Sequence, residues 1–292
     1  MNIELGNKTI LVTGGAGFIG SSLIEYLLKN SDYQIYSLDC YFTGKKENHI
    51  KNVNYFKGYT WDIFEIFNDV KFDIIFHFGE YSRIVKSFED IEFVTNSILR
   101  GTPKVLEFAR KNNSKVIYSA SSSKFGNDGK DENLSPYAWM KSKMVELIKN
   151  YNTWFNLKYE ICYFFNVYGP RQIYKGDYAT VIAIFEEQFK NKKNLTVVKP
   201  GTQSRDFTHV DDVVSGIFKA SQKDMNHEWH LRSGKNYSII QVAELFTKNW
   251  IYISERNGER FTSEEFKSDT NKLLNWHPKK SLTKWIEKVK NE

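Results

Sequence analysis

Tyr137 and Lys141, in the stretch Tyr137-Ala-Trp-Met-Lys141, stand four residues apart. That interval brings two side chains onto one face of an α-helix. A free phenol ionises near pH ~10 and is no base at neutrality. An ammonium beside it favours the phenolate, and the pair then becomes a general base able to take a proton from a hydroxyl. The spacing alone arises by chance in many helices, so its surroundings decide the reading. Upstream, Ser119-Ala-Ser121-Ser122-Ser123 closes an apolar segment. A serine at such a strand end can hydrogen-bond the same hydroxyl and steer its proton to Tyr137.

The elements that would position this pair begin near the N-terminus. Ile10, Leu11 and Val12 form a short uncharged run, expected of a strand buried on both faces. Gly14, Gly17 and Gly20 follow, and Ser21-Ser22-Leu-Ile-Glu-Tyr-Leu-Leu opens an amphipathic helix. Strand, glycine turn and helix form the dinucleotide-binding context. Gly14 permits the tight turn, Gly17 lets backbone approach a pyrophosphate, and Gly20 allows close helix–strand packing. The helix N-terminus presents free N–H groups to phosphates. Gln34–Asp39 reads as the next strand and ends in a carboxylate nineteen residues after Gly20, where an acid hydrogen-bonds the ribose 2′-hydroxyl. This acid favours NAD over NADP, with Lys45 and Lys46 close enough to soften the preference. A bound nicotinamide cation would further stabilise the Tyr137 phenolate.

Further apolar runs at Val53–Lys57, Phe72–His77, Lys115–Ser119 and Lys158–Phe165 alternate with helical patterns. One of these carries Val105, Leu106 and Phe108, and another runs from Tyr137 to Trp154 with Met140, Met144, Val145 and Ile148. This rhythm implies a doubly wound parallel sheet with ligands at the carboxyl ends of its strands. Beyond Asn166 it breaks into loops, short strands and helices such as Ala179–Phe189 and Asp211–Lys223, read as a smaller substrate-capping region.

Gly14–Gly20, Asp39, the strand-end serines, Tyr137 with Lys141, Phe165-Asn-Val-Tyr-Gly-Pro-Arg171 and Ser204-Arg-Asp-Phe-Thr-His-Val-Asp-Asp212 occur in one order along essentially the whole chain. Together they resemble the extended short-chain dehydrogenase/reductase family, specifically its NAD-dependent nucleotide-sugar epimerases and dehydratases of the UDP-glucose 4-epimerase type. The resemblance implies an α/β fold, with an NAD-binding Rossmann domain over 1–165 and a C-terminal α/β nucleotide-sugar region over 166–292 whose strands can return to the Rossmann sheet. It implies that Ser121, Tyr137 and Lys141 carry the chemistry. Gly14, Gly17, Phe18, Ile19, Asp39, Phe78, Gly79 and Asn96 join Tyr137 and Lys141 in holding NAD. Ser82, Asn166, Arg205 and Arg256 face the sugar nucleotide, the last three on its diphosphate. The implied reaction takes a hydroxyl proton, usually at C4, while hydride leaves for NAD. The keto-sugar turns and hydride returns to its other face.

Certain residues depart from the family pattern. Ser122 and Ser123 replace the Asp-Glu pair of dehydratases, which argues against water elimination. Tyr59 stands where an adenine-side aspartate is common. Gly79 replaces an alanine, with Glu80 beside it, and Cys40 replaces a small polar residue. The Ser121–Tyr137 segment is short, implying a more open pocket. Lys175 falls where the heptose 6-epimerase branch has a second catalytic lysine, and its plainer reading is a loop lysine near a phosphate. The window around Ser263 corresponds to a position that controls room for an N-acetyl group.

Bulk properties narrow the classes. The 292 residues are 41% hydrophobic and 26% charged, ordinary for a globular protein with a full core. The +6 net charge comes largely from solvated lysines such as Lys279, Lys280, Lys284, Lys288 and Lys290, on the exposed face and lead-in of a terminal helix, not from a nucleic-acid stripe. Cys40 and Cys162 lack redox or metal spacing, and His49, His77, His209, His227, His230 and His277 show no paired ligand spacing, so no catalytic metal is expected. Asp211 or Asp212 reads as a helix cap. No signal peptide or membrane-length apolar stretch is present in the sequence, and a reduced cytoplasmic setting is expected. The resemblance implies a homodimer pairing the helices near 102–111 and 137–151, with Met140, Met144 and Ile148 as contributors unless that stripe packs on the sheet. The function expected is C4 inversion of a UDP-hexose or UDP-N-acetylhexosamine. Alternatives are an ADP-heptose 6-epimerase-like enzyme, a keto-sugar reductase, or an inactive dinucleotide-binding regulatory protein.

Overall fold

Ile10, Leu11 and Val12 are fully buried in strand β1 (Thr9–Thr13), at the middle of the main sheet. Side chains alternate across a strand, and here both faces are covered. Ile10 and Val12 join a core with Leu23, Ile24 and Leu27 of α1 (Phe18–Asn30), whereas Leu11 joins a core on the opposite face. The structure, a computed structural model, describes residues 7–125, 131–258 and 268–292.

After β2 (Gln34–Asp39) and β3 (Asn54–Lys57) come short helix α2 (Ile63–Ile66), β4 (Ile74–His77), α3 (Ile91–Thr95), α4 (Gly101–Asn112) and β5 (Lys115–Ser121). Helix α5 (Pro136–Phe155), β6 (Tyr159–Phe164), β7 (Asn166–Tyr168), α6 (Val181–Lys190), β8 (Leu195–Val198) and β9 (Ser204–His209) follow. The chain finishes with α7 (Val210–Ser221), β10 (Glu228–Leu231), β11 (Asn236–Ser238), α8 (Ile239–Phe246), β12 (Trp250–Ile253), α9 (Thr270–Leu274) and α10 (Leu282–Asn291). Seven described strands form one sheet in the order β10-β6-β5-β4-β1-β2-β3, parallel throughout. Helices α1 and α7 cover one face, with Tyr26 and Phe218 in ring contact, and α4 and α5 cover the other. The fold is the doubly wound α/β sheet that the alternation implied. The strand that returns to it from beyond residue 165 is β10, paired with β6.

The remaining elements build a smaller α/β layer. Strands β11, β9 and β7 form one sheet and β12 pairs with β8. A third core gathers Phe185 of α6, Phe246 of α8 and Ile286 of α10. At α5, Ser135 accepts the Ala138 N–H at 3.1 Å and Pro136 occupies the first turn, so the helix starts one residue before Tyr137.

One expectation changes, at α7, and one open alternative is decided, at α5. The cap of α7 is His209, whose Nδ1 accepts the Asp211 N–H at 3.1 Å. Burial lowers the His209 pKa, which keeps the ring neutral and able to accept. Asp212 instead points inward to accept the Lys280 N–H at 2.8 Å. Met140, Met144 and Ile148 are buried against the sheet within one chain, so they leave no free apolar stripe for a partner.

Candidate active site

The glycine turn places backbone against backbone. Gly14 has φ +73°, and a Cβ there would sit 2.9 Å from the Gly79 nitrogen; a Cβ on Gly20 would lie 2.1 Å from the Gly14 oxygen. The two turns leaving β1 and β4 therefore touch. Thr13 Oγ1 locks them by accepting the Phe78 N–H at 3.0 Å and the Gly79 N–H at 2.9 Å. Gly17 is the N-cap of helix α1 and offers no side-chain cap, and the first turn has no acid, so its leading N–H groups remain for an anion. At the end of β2, the Asp39 carboxylate accepts from Ala16 N (2.9 Å) and Tyr41 N (2.8 Å). These bonds aim it at the glycine turn, while burial pushes its pKa up.

A cavity of about 850 Å³ runs from this turn across the carboxyl ends of the strands. Every candidate site residue named from the sequence lines it except Asn96 and Lys175. Asn96 opens the wide helical turn Asn96–Arg100, and its neighbour Ser97 takes the wall position, accepting the Tyr81 N–H at 2.8 Å. Lys175 is exposed on a loop. Ser263 and part of the Ser121–Tyr137 segment lie outside the described residues.

Tyr137 and Ser121 meet at the cavity wall, where the serine hydroxyl hydrogen-bonds the phenol. Burial raises the Tyr137 pKa to about 12, opposed by Ser121 and the Arg83 charge and reinforced by the charge of Glu80. Lys141 is also buried, its Nζ donating to the Ser119 carbonyl and to Glu80. Tyr137 and Ser121 are thus brought together, and Lys141 lines the same cavity with a carboxylate on it whose role the sequence did not reveal. Arg205, also lining the cavity, is largely buried on β9, with Nη1 donating to the Ser204 carbonyl at 2.8 Å. On neighbouring β7, Asn166 Nδ2 donates to the Asp206 carbonyl at 3.0 Å. Arg256 is exposed at the rim.

Two wall residues carry contacts that the sequence reading did not anticipate: Tyr59, noted there only as a departure from the family pattern, and Arg83. Tyr59 stacks on Trp61, ring centroids 4.1 Å apart, at the β3 end of the cavity. Arg83 lines the wall with a buried Nε that has no partner among the described residues. A lone arginine six residues beyond an apolar strand was the available signal. No group of three or more described His, Cys, Asp or Glu side chains could hold a metal, and no described helix is long and apolar enough to cross a membrane.

Comparison with known proteins gives this geometry its context. The model of the NAD dependent epimerase/dehydratase family matches residues 10–235. A UDP-glucuronate 4-epimerase from Thermodesulfobacterium geofontis is 30% identical, the match covering 96% of this chain and 94% of that one. A UDP-glucose 4-epimerase from Thermotoga maritima, solved with UDP-glucose, superposes with a TM-score of 0.90 at 27% identity, covering 97% of each chain. A UDP-glucuronic acid 4-epimerase from Bacillus cereus, solved with UDP-glucuronic acid and NAD, gives a TM-score of 0.86 at 26% identity over 97% of this chain and 98% of that one.

Proposed function

The chain belongs to the NAD-dependent epimerase/dehydratase family, and from that premise we propose that it is a nucleotide-sugar epimerase inverting C4 of a UDP-hexose or UDP-N-acetylhexosamine. The observation that carries the reading is the meeting of Tyr137 and Ser121 on the wall of a cavity that the glycine turn and Arg205 also line. NAD, when bound, accepts the hydride and gives it back. The chain's residues do the rest. The N-terminus of α1 takes the cofactor pyrophosphate and Asp39 the adenosine ribose. Gly14, Gly17 and Gly79 keep the floor free of side chains. Ser121 orients the sugar hydroxyl, and Tyr137 takes its proton and later returns it. Arg205 and Arg256 hold the diphosphate while the sugar swings, since guanidinium makes paired contacts with phosphate oxygens.

Ser122 and Ser123 offer no acid–base pair for dehydration, and exposed Lys175 lends no support to C6 chemistry. Arg83 favours one second reading, a UDP-hexuronate, because its unpaired Nε can receive a sugar carboxylate. The proposed macromolecular partner is a second copy of the chain. Trp139 and Trp154, 41% and 58% exposed on α5, supply apolar surface for it.

The test is a panel of UDP-, GDP-, ADP- and dTDP-sugars followed by proton NMR with the NAD-loaded protein. A C4 epimer with no net NADH supports the reading, and net NADH formation or consumption points to a reductase. Tyr137→Phe should fold, retain NAD and lose about 10²–10⁴-fold in turnover. Unchanged turnover removes Tyr137 from this role.

A further inference from the structure

Glu80 lies two residues beyond Phe78 in the turn after β4, and its side chain is 2% exposed. A buried hydrogen-bond chain ends on it. Thr13 Oγ1 already accepts two backbone N–H groups, so its own hydrogen goes to His77 Nδ1, 2.8 Å away. That leaves the His77 proton on Nε2, which donates to Thr102 Oγ1 at 3.0 Å, and Thr102 in turn donates to Glu80. Burial lowers the His77 pKa to about 4, in keeping with a neutral ring. Glu80 Oε1 also accepts from the Tyr118 hydroxyl at 3.2 Å, and Oε2 pairs with the Lys141 ammonium. Thr102 and Tyr118 therefore hold one oxygen of this carboxylate and leave the other facing Lys141.

The pairing changes what Lys141 can do for Tyr137. A lone ammonium would favour the phenolate, but an ammonium in contact with a carboxylate presents only a dipole. The charged and titratable groups that act on Tyr137 are Glu80 and Arg83 from the turn after β4 and Tyr118 from β5; Lys141, one helical turn along α5, is paired with Glu80, and His77 backs Glu80 and Lys141. We propose that Glu80 is a positioning residue that holds the Lys141 ammonium on the Ser119 carbonyl and offsets its charge, so that Tyr137 stays a phenol until the cationic nicotinamide ring is bound. The proposal rests on Tyr137 being the base of the proposed reaction, but its main readout needs no sugar.

The experiment labels tyrosine with carbon-13 at Cζ, assigns residue 137 by the resonance lost in Tyr137→Phe, and follows it with pH in wild-type and Glu80→Gln protein, with and without NAD. Glutamine keeps the shape and removes the charge. The Tyr137 midpoint is expected to fall by about one pH unit in Glu80→Gln. The rising limb of kcat/KM should move with it for any nucleotide sugar that is turned over. Glu80→Ala removes the same charge and must move the midpoint in the same direction. A folded variant whose residue 137 titrates as in wild type, or does not titrate when wild type does not, overturns the proposal. Failure of both variants to fold assigns Glu80 to stability and also overturns it. If no sugar is turned over, the proposed reaction fails while the resonance still tests Glu80.

Discussion

Gly14→Ala is the perturbation whose outcome follows most directly from the geometry. Gly14 lies at φ +73°, where an L-residue costs about 1–2 kcal/mol relative to its preferred backbone. The added methyl would stand 2.9 Å from the Gly79 nitrogen and 3.0 Å from the Gly79 Cα and the Phe78 carbonyl carbon. These are backbone atoms held by Thr13 Oγ1, so they cannot retreat as a flexible side chain would. Forcing such an overlap adds about 1–3 kcal/mol. Together these give about 2–5 kcal/mol, a large share of the ~5–15 kcal/mol that holds a domain folded. The urea midpoint should drop by about 1 M for a slope of ~3 kcal/mol per molar. The same displacement opens the contact between the β1 and β4 turns, so NAD affinity should fall with stability. Urea unfolding monitored by tryptophan fluorescence and NAD titration by calorimetry read the two effects. A variant with an unchanged midpoint and unchanged NAD affinity would refute the close approach of the two turns.

Two further outcomes follow. Burial holds His77 to about 4 against an ordinary 6.5, so the unfolded chain binds an extra proton between those values. Stability is therefore complete above pH 6.5 and declines by up to about 3 kcal/mol as pH falls through 4. Urea midpoints across that range should fall less steeply in His77→Gln, with His230, also lowered to about 4 by burial, leaving a residual slope. Arg205→Ala should raise KM for the nucleotide sugar about 10–100-fold while leaving NAD affinity unchanged, the size expected for a lost charge-assisted contact. Steady-state kinetics and NAD titration separate the two, and an unchanged KM would remove Arg205 from the diphosphate site.

What was legible in the sequence was local. The β1 run, its glycine turn, α1 and Asp39 lie within a short stretch whose spacing is set by backbone geometry, and they fold as read. Tyr137 and Lys141 were legible because one helical turn separates them. Glu80 stood out as an odd residue, but its partners Thr102, Tyr118 and Lys141 are 22, 38 and 61 positions away, and only the packed sheet brings them together. The cap of α7 was misassigned because histidine accepts there only when burial keeps its ring neutral. The fate of the Met140–Ile148 stripe depended on which surface α5 meets, and helical periodicity alone does not distinguish sheet from partner.

The claim at the centre of the account is that a carbohydrate carbon is transiently oxidised beside Tyr137 and receives its own hydride back. Deuterium at C4 of the UDP-sugar that is turned over, followed by NMR in ordinary water with catalytic NAD-loaded protein, tests it most directly. The label is expected to remain at C4 of the inverted product, with neither washout nor net NADH. Loss of the label to solvent, or inversion at a carbon other than C4, would contradict it.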